Sequence, residues 1–267
     1  MAAGLSCFGL GDEKIAAEYL EKLWLAIDPS EIFKNWDNGG IIRGLLFESG
    51  LLDSTPEQNF LNKTYYKFNH TLKRNMTLGL TDFNTPKFVS DKKINDSNWL
   101  IYAMASSANP GMFPAIEYDD TIYVDGGVYY RIDLVSSINY CRNQGYEDKN
   151  IIIDAIYVIP SIYPYFNSTG ATSLDMANRY LEMNNLLKST ILYYDTTTYY
   201  KEVNFRYMVI LKITFLKPVL KIFPLDTNPK RIREAFELGY NDTRSIINCS
   251  KISYIKERFD FLTLYAH

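Results

Sequence analysis

Histidine occurs only twice in the 267 residues, at His70 and at the final position, His267. A Ser-His-Asp triad or a two-histidine zinc site would have to be built from one mid-chain histidine and the last residue, so chemistry that dispenses with histidine suits this composition better. Cysteine is almost as scarce. Cys7, Cys141 and Cys249 are an odd number, far apart in sequence. They make no metal spacing and no assignable disulfide framework, and they read as three separate thiols. No apolar run reaches about 18 residues, so no transmembrane segment is expected. A basic excess is also missing. The formal net charge is −3, which argues against a nucleic-acid partner, because phosphate binding needs clustered Lys and Arg. No internal repeat, low-complexity tract or long linker is visible, and no signal peptide follows Met1.

What is present fits a globular protein. Hydrophobic residues make up 47% and charged residues 22% of a chain long enough to bury a substantial core. Gly11-Asp12-Glu13 opens a helix whose Ala16, Leu20, Leu23 and Ile27 share one stripe before Pro29. A short helical piece is expected over Glu31 to Trp36, a turn at Asn38-Gly39-Gly40, and an apolar segment over Ile41 to Phe47. Further helices are expected from Pro56, over Asn98 to Ser107, Asp133 to Arg142, Leu174 to Leu192 and Pro229 to Tyr240. Strand-like stretches are Met76 to Phe83 with Phe88 and Val89, Thr121 to Val124, Ile151 to Ile159, and Phe205 to Ile213. The run at Ile151 to Ile159 reads as a central strand covered on both faces, in which a buried Asp154 needs a partner. Strands alternating with helices predict a single α/β domain over residues 1–267 with a mainly parallel central sheet.

The most informative stretch ends the strand at Thr121. Asp125, Gly126 and Gly127 follow Val124, placing a carboxylate on a tight turn beside two residues that permit unusual backbone angles and keep side chains away. By itself, Asp-Gly-Gly also describes an ordinary hairpin turn. Upstream lies Ala105-Ser106-Ser107-Ala108-Asn109-Pro110-Gly111-Met112-Phe113-Pro114. This segment, followed by Tyr123-Val124-Asp125-Gly126-Gly127, resembles the second signature of the patatin-like phospholipases. Glu18-Tyr19-Leu20 with Trp24, Lys34-Asn35-Trp36, Ser49-Gly50-Leu51-Leu52-Asp53 and Gly239-Tyr240-Asn241-Asp242 are similar to one branch of the same family.

The resemblance implies a three-layer α/β/α sandwich and a lipid or membrane-surface ester as substrate. It implies acyl transfer by a Ser-Asp dyad that needs no metal or other cofactor. It puts the general base at Asp125, on a turn supported by Gly126 and Gly127; such a base works better with some desolvation. The many aromatic residues could line an acyl groove or fill the core.

Two departures qualify the likeness. Many patatins carry Asn six residues after the Asp, where this chain has Arg131. The family also uses a Gly-Gly-Gly-x-(Arg/Lys)-Gly oxyanion loop and a Gly-x-Ser-x-Gly elbow, and neither is in this sequence. Gly4-Leu5-Ser6-Cys7-Phe8 comes nearest to an elbow, but it has Phe in place of the second Gly and only five residues before Ser6. Aligning Ala2-Ala3-Gly4 just after the elbow instead places the serine upstream of Met1, with the sandwich incomplete at its N-terminus. On that alignment the 267 residues alone lack hydrolytic activity. Two alternatives stay open: a patatin-fold lipid-binding or interaction protein without catalysis, and a hydrolase that uses Ser6.

Seven Asn-x-Ser/Thr sequons occur, at Asn62, Asn69, Asn75, Asn95, Asn167, Asn241 and Asn248. With 21 Asn and 34 Ser plus Thr, chance gives on the order of 2–3. The excess points to a secretory or lumenal glycoprotein. An Asn-rich proteome and a cytoplasmic or membrane-peripheral location is the alternative.

Overall fold

The structure is a computed structural model that describes residues 2–90, 94–130, 132–157, 166, 169–210 and 228–248. It divides into two compact units, Met1–Ser137 with Thr227–Ile232, and Ile138–Asp226 with Arg233–His267.

In the first unit, helix α1 (Ala2–Ser6) packs on α2 (Glu13–Ala26). Gly4 allows the approach, since a Cβ there would sit 2.8 Å from Leu20 Cδ2. Ala16 and Ile27 of the expected stripe are buried. Asp28 and Glu31 form a capping box on a single 3-10 turn, Pro29–Glu31. The helix expected over Glu31 to Trp36 does not follow it. Lys34 instead pairs with Asp53 as an antiparallel bridge, with backbone hydrogen bonds of 3.0 Å in both directions. Those long-range bonds take the amide and carbonyl a helix would have used.

The turn at Asn38-Gly39-Gly40 carries three positive φ angles and leads into α3 (Gly40–Phe47). Helix α4 (Thr55–Tyr66) has Pro56 in its first turn, and α5 (Trp99–Ser107) packs against it. Two cores result. Cys7, Phe8, Ala16, Tyr65 and Trp99 form one. There the Tyr65 hydroxyl is hydrogen-bonded to Asp96, and burial pushes the Cys7 thiol up to about 11.

The second core joins α5 to a four-stranded sheet through Leu78, Leu80, Val89, Tyr102, Ala105 and Tyr123. The strands are β1 (Leu80–Asp82), β2 (Lys87–Val89), β3 (Ile116–Tyr118) and β4 (Thr121–Asp125), in the order β2-β1-β4-β3. All three pairings are antiparallel, which departs from the mainly parallel sheet predicted above. The connections explain the difference. A two-residue loop, Asp119-Asp120, joins β3 to β4 with φ of +55° and +57°, the geometry of a tight hairpin turn. Asp82 caps the β1–β2 turn, accepting from the backbone N–H groups of Asn84 and Thr85 at 3.0 Å each. Links this short reverse the chain, whereas parallel strands need a long crossover.

The second unit contains that crossover. Strand β5 (Ile152–Tyr157) is followed by the 27-residue helix α7 (Ser173–Tyr199), capped by Thr172 and Asp175, and then by β6 (Asn204–Ile210), which pairs with β5 in parallel. Burial along β5 alternates. Ile151, Ile153 and Ala155 point inward, while Ile152, Asp154 and Ile156 are exposed. The expectation of a strand covered on both faces is therefore corrected, and with it the buried Asp154. That carboxylate is exposed and takes a two-pronged ion pair from Arg206, with Nε to Oδ1 at 3.0 Å. Helix α6 (Leu134–Asn143) buries Leu134 and Ile138 as predicted, and α8 spans Pro229–Asn248. Residues 158–159 and 211–213 of the two expected strands, Arg131 and Cys249 lie outside the described residues. The architecture as described is α/β, with an antiparallel four-stranded sheet and a parallel pair.

Candidate functional site

Asp125 is the last residue of β4, opposite Leu80 of β1. Its backbone is held on both sides. The Asp125 N–H donates to the Ala108 carbonyl at 3.0 Å, and the Asp125 carbonyl accepts from the Thr81 hydroxyl at 2.9 Å. The chain then coils into one 3-10 turn, Gly126–Val128. Asp125 is its N-cap, with Oδ1 accepting the Gly127 N–H at 2.7 Å. A carboxylate that accepts a backbone N–H is held in one orientation by it. The side chain is half-buried.

The two glycines act differently from the sequence expectation. Neither has a positive φ. Gly126 is needed for space, because a Cβ would lie 2.4 Å from the Gly79 carbonyl carbon and 2.5 Å from its oxygen. At Gly127 a Cβ would stand 3.1 Å from Asp125 Oδ1, against the carboxylate itself. Backbone thus crosses bare backbone just beyond the strand end.

The signature segment wraps this point. Ala105, Ser106 and Ser107 end α5, and the Ser106 hydroxyl donates to the Gly79 carbonyl at 2.9 Å. Asn109 accepts the N–H groups of Met112 and Phe113 at 3.0 Å each, and Gly111 turns the chain with φ +83°. The carbonyls of Gly111 and Met112 accept from Leu51 and Leu52 at 3.1 and 3.0 Å. Gly50 lies so close to the Phe113–Pro114 backbone that a Cβ there would be 2.3 Å from the Phe113 carbonyl carbon. Behind the segment, Glu57 of α4 is hydrogen-bonded to Ser107, and burial raises its carboxyl above the usual range. Tertiary contact therefore gathers Gly50 to Asp53, Gly79 to Thr81 and the whole signature around Asp125. Thr81 and Gly79 escaped the sequence reading, which named Ser106 only as part of the signature. The glycine in Leu78-Gly79-Leu80 was the available signal, since glycine beside a strand often marks a close backbone approach.

Ser6 is placed elsewhere in the architecture of a site. It is buried at the end of α1, and its hydroxyl donates to Met76 Sδ at 3.5 Å. Its carbonyl accepts from Lys73 and Arg74 at 2.7 and 3.2 Å. An elbow serine follows a strand and begins a helix; Ser6 ends one.

The family model for Patatin-like phospholipase matches residues 1–135, and the chain belongs to this family, which acts on lipid substrates. No curated protein matches the chain. The matched region contains Asp125 and every residue described around it. Among the described residues, no helix is long and apolar enough to cross a membrane.

Proposed function

We propose that this chain is the base-bearing part of a patatin-type lipid acyl hydrolase, with Asp125 as general base of a Ser-Asp dyad whose serine lies outside these 267 residues. One observation carries the reading: the Asp125 carboxylate is oriented by the Gly127 N–H at a strand end locked to the signature segment. In the reaction, Asp125 takes the serine proton as the serine oxygen attacks a lipid ester carbonyl. The alcohol leaves with a proton returned from Asp125, and water then releases the fatty acid by the same route. The oxyanion donors belong to the missing glycine-rich loop. The fuller fold proposed is the three-layer sandwich over residues 1–267 as one patatin-like domain, and the β5–α7–β6 crossover supports it.

Residues 1–267 alone should show neither ester turnover nor labelling by a fluorophosphonate. Loss of even one oxyanion donor costs about 100–1,000-fold in rate, and here the nucleophile is missing too. Labelling at Ser6, with turnover that Ser6→Ala eliminates, would move the chemistry to Ser6. The absence of Gly-x-Ser-x-Gly from the sequence also favours a second reading, a patatin-fold lipid-binding protein without catalysis. The coding sequence immediately upstream separates the two: an elbow motif there supports the hydrolase.

We further propose that the protein is glycosylated. Asn62, Asn69, Asn75, Asn95, Asn241 and Asn248 are all exposed, as an acceptor must be. Treating the native protein with an N-glycosidase should increase its gel mobility. An unchanged band would favour the cytoplasmic or membrane-peripheral alternative.

A further inference from the structure

Helix α3 is built inside out. On most helices of a globular protein the apolar stripe faces the core. Here the inward residue is Gly44, which is buried so tightly that a Cβ would lie 2.2 Å from the Leu51 carbonyl oxygen. The large apolar side chains are turned outward: Ile42 is 68%, Leu45 71%, Leu46 64% and Phe47 79% exposed, with Ile41 beside them. They leave on the order of 500 Å² of apolar surface uncovered, the size of the largest patch on a typical monomer, which is often functional.

We propose that this face of α3 is the surface by which the protein settles on a zwitterionic lipid layer. The inference rests on the lipid-acting nature of the family and not on the dyad chemistry. Three observations select a lipid plane over other occupants. First, the apolar residues cover a broad sector of a two-turn helix, which suits a deformable plane better than the narrow seam two helices need. Second, the charges at its rim suit a headgroup layer without net charge. Arg43, the sole charged residue within α3, pairs with Glu48 at 2.7 Å, donates to the Asp37 carbonyl at 3.1 Å and lies 5.9 Å from the Trp36 ring centre. Lys34 is likewise paired, with Asp37 at 3.3 Å and Asp53 at 3.4 Å. A rim of paired charges and one indole can occupy a headgroup layer without stranding a charge. Third, the patch is tied to the site. Gly44 rests on Leu51, Leu51 and Leu52 donate to Gly111 and Met112, and Ala108 accepts from Asp125. A lipid layer touching α3 would lie against the element that fixes the signature segment.

The test is flotation of the full 267-residue chain with phosphatidylcholine vesicles, comparing it with Leu45→Glu/Leu46→Glu and, separately, Phe47→Ser. These positions are exposed, so the variants should keep the wild-type far-ultraviolet circular dichroism. The wild-type chain should float with vesicles, with little dependence on salt. The double variant should lose about tenfold or more in partition, and Phe47→Ser should lose less, because apolar contact with the interface is the source of binding. Failure of the wild-type chain to float, or unchanged flotation of both folded variants, would overturn the proposal. So would a vesicle-independent dimer that the double variant dissociates, which would assign the face to a second copy. None of these results bears on turnover of a soluble ester, so this inference and the Asp125 reading fail separately.

Discussion

Asp125→Asn should abolish ester turnover in the protein that carries the nucleophilic serine, by about 1,000-fold or more, while changing thermal stability little. The two halves of this expectation come from different atoms of the same side chain. The structural part of Asp125 is acceptance of the Gly127 N–H by Oδ1 at the head of the 3-10 turn. An Asn carbonyl oxygen can accept that bond, and Asn serves about as well as Asp at an N-cap. Its backbone bonds to Ala108 and Thr81 are indifferent to the change. The proposed chemical part is acceptance of a proton from the serine, which an amide cannot perform at any useful pH. A positioned general base typically contributes about 100–10,000-fold, and in the proposed two-residue dyad no neighbouring imidazole can take over. Steady-state hydrolysis of a short-chain ester, read beside a melting curve, checks both. Turnover within a few-fold of wild type would remove Asp125 from the mechanism. Lost stability equal to lost activity would make it a turn residue only.

Gly126→Ala should be among the most damaging single-methyl changes in the chain. The new Cβ would lie 2.4 Å from the Gly79 carbonyl carbon, 2.5 Å from its oxygen and 2.9 Å from the Leu80 nitrogen. All three are backbone atoms, so no flexible side chain can swing away. Relief requires parting β1 from the strand end. The Thr81 hydrogen bond to Asp125 and the Ser106 bond to Gly79 both resist that movement. Overpacking of this kind costs about 3 kcal/mol or more. Gly127→Ala is the control. Its Cβ meets Asp125 Oδ1 at 3.1 Å, so a small shift of the carboxylate relieves it, and about 1 kcal/mol or less is expected. Urea titration of both variants measures the contrast. Equal melting of the two would mean that the crossing of Gly126 over Gly79 is not a rigid feature of the fold.

The sequence by itself determined the local elements and the signature. Helices α2, α4, α5, α6 and α7 were legible because periodicity, caps and prolines act within a few residues of each other. Asp125 stood out as a candidate because the segment from Ala105 to Pro114 and the Asp-Gly-Gly turn form an ordered pattern. The family match over residues 1–135 agrees with that resemblance. What tertiary structure alone decided involves partners far apart in sequence. Strand direction depended on turns as short as Asp119-Asp120, and the missing helix after Glu31 depended on Asp53. The exposed face of β5 is invisible in an apolar run, since Ile152 and Ile153 read alike until one meets the core. Gly126 seemed to supply backbone freedom, whereas its role is to let one backbone touch another 47 residues away. The apolar segment over Ile41 to Phe47 became a helix with its large side chains outward for a related reason, because Gly44 met the Leu51 carbonyl. Periodicity records which residues are apolar, but the face they turn inward is set by whichever surface comes closest.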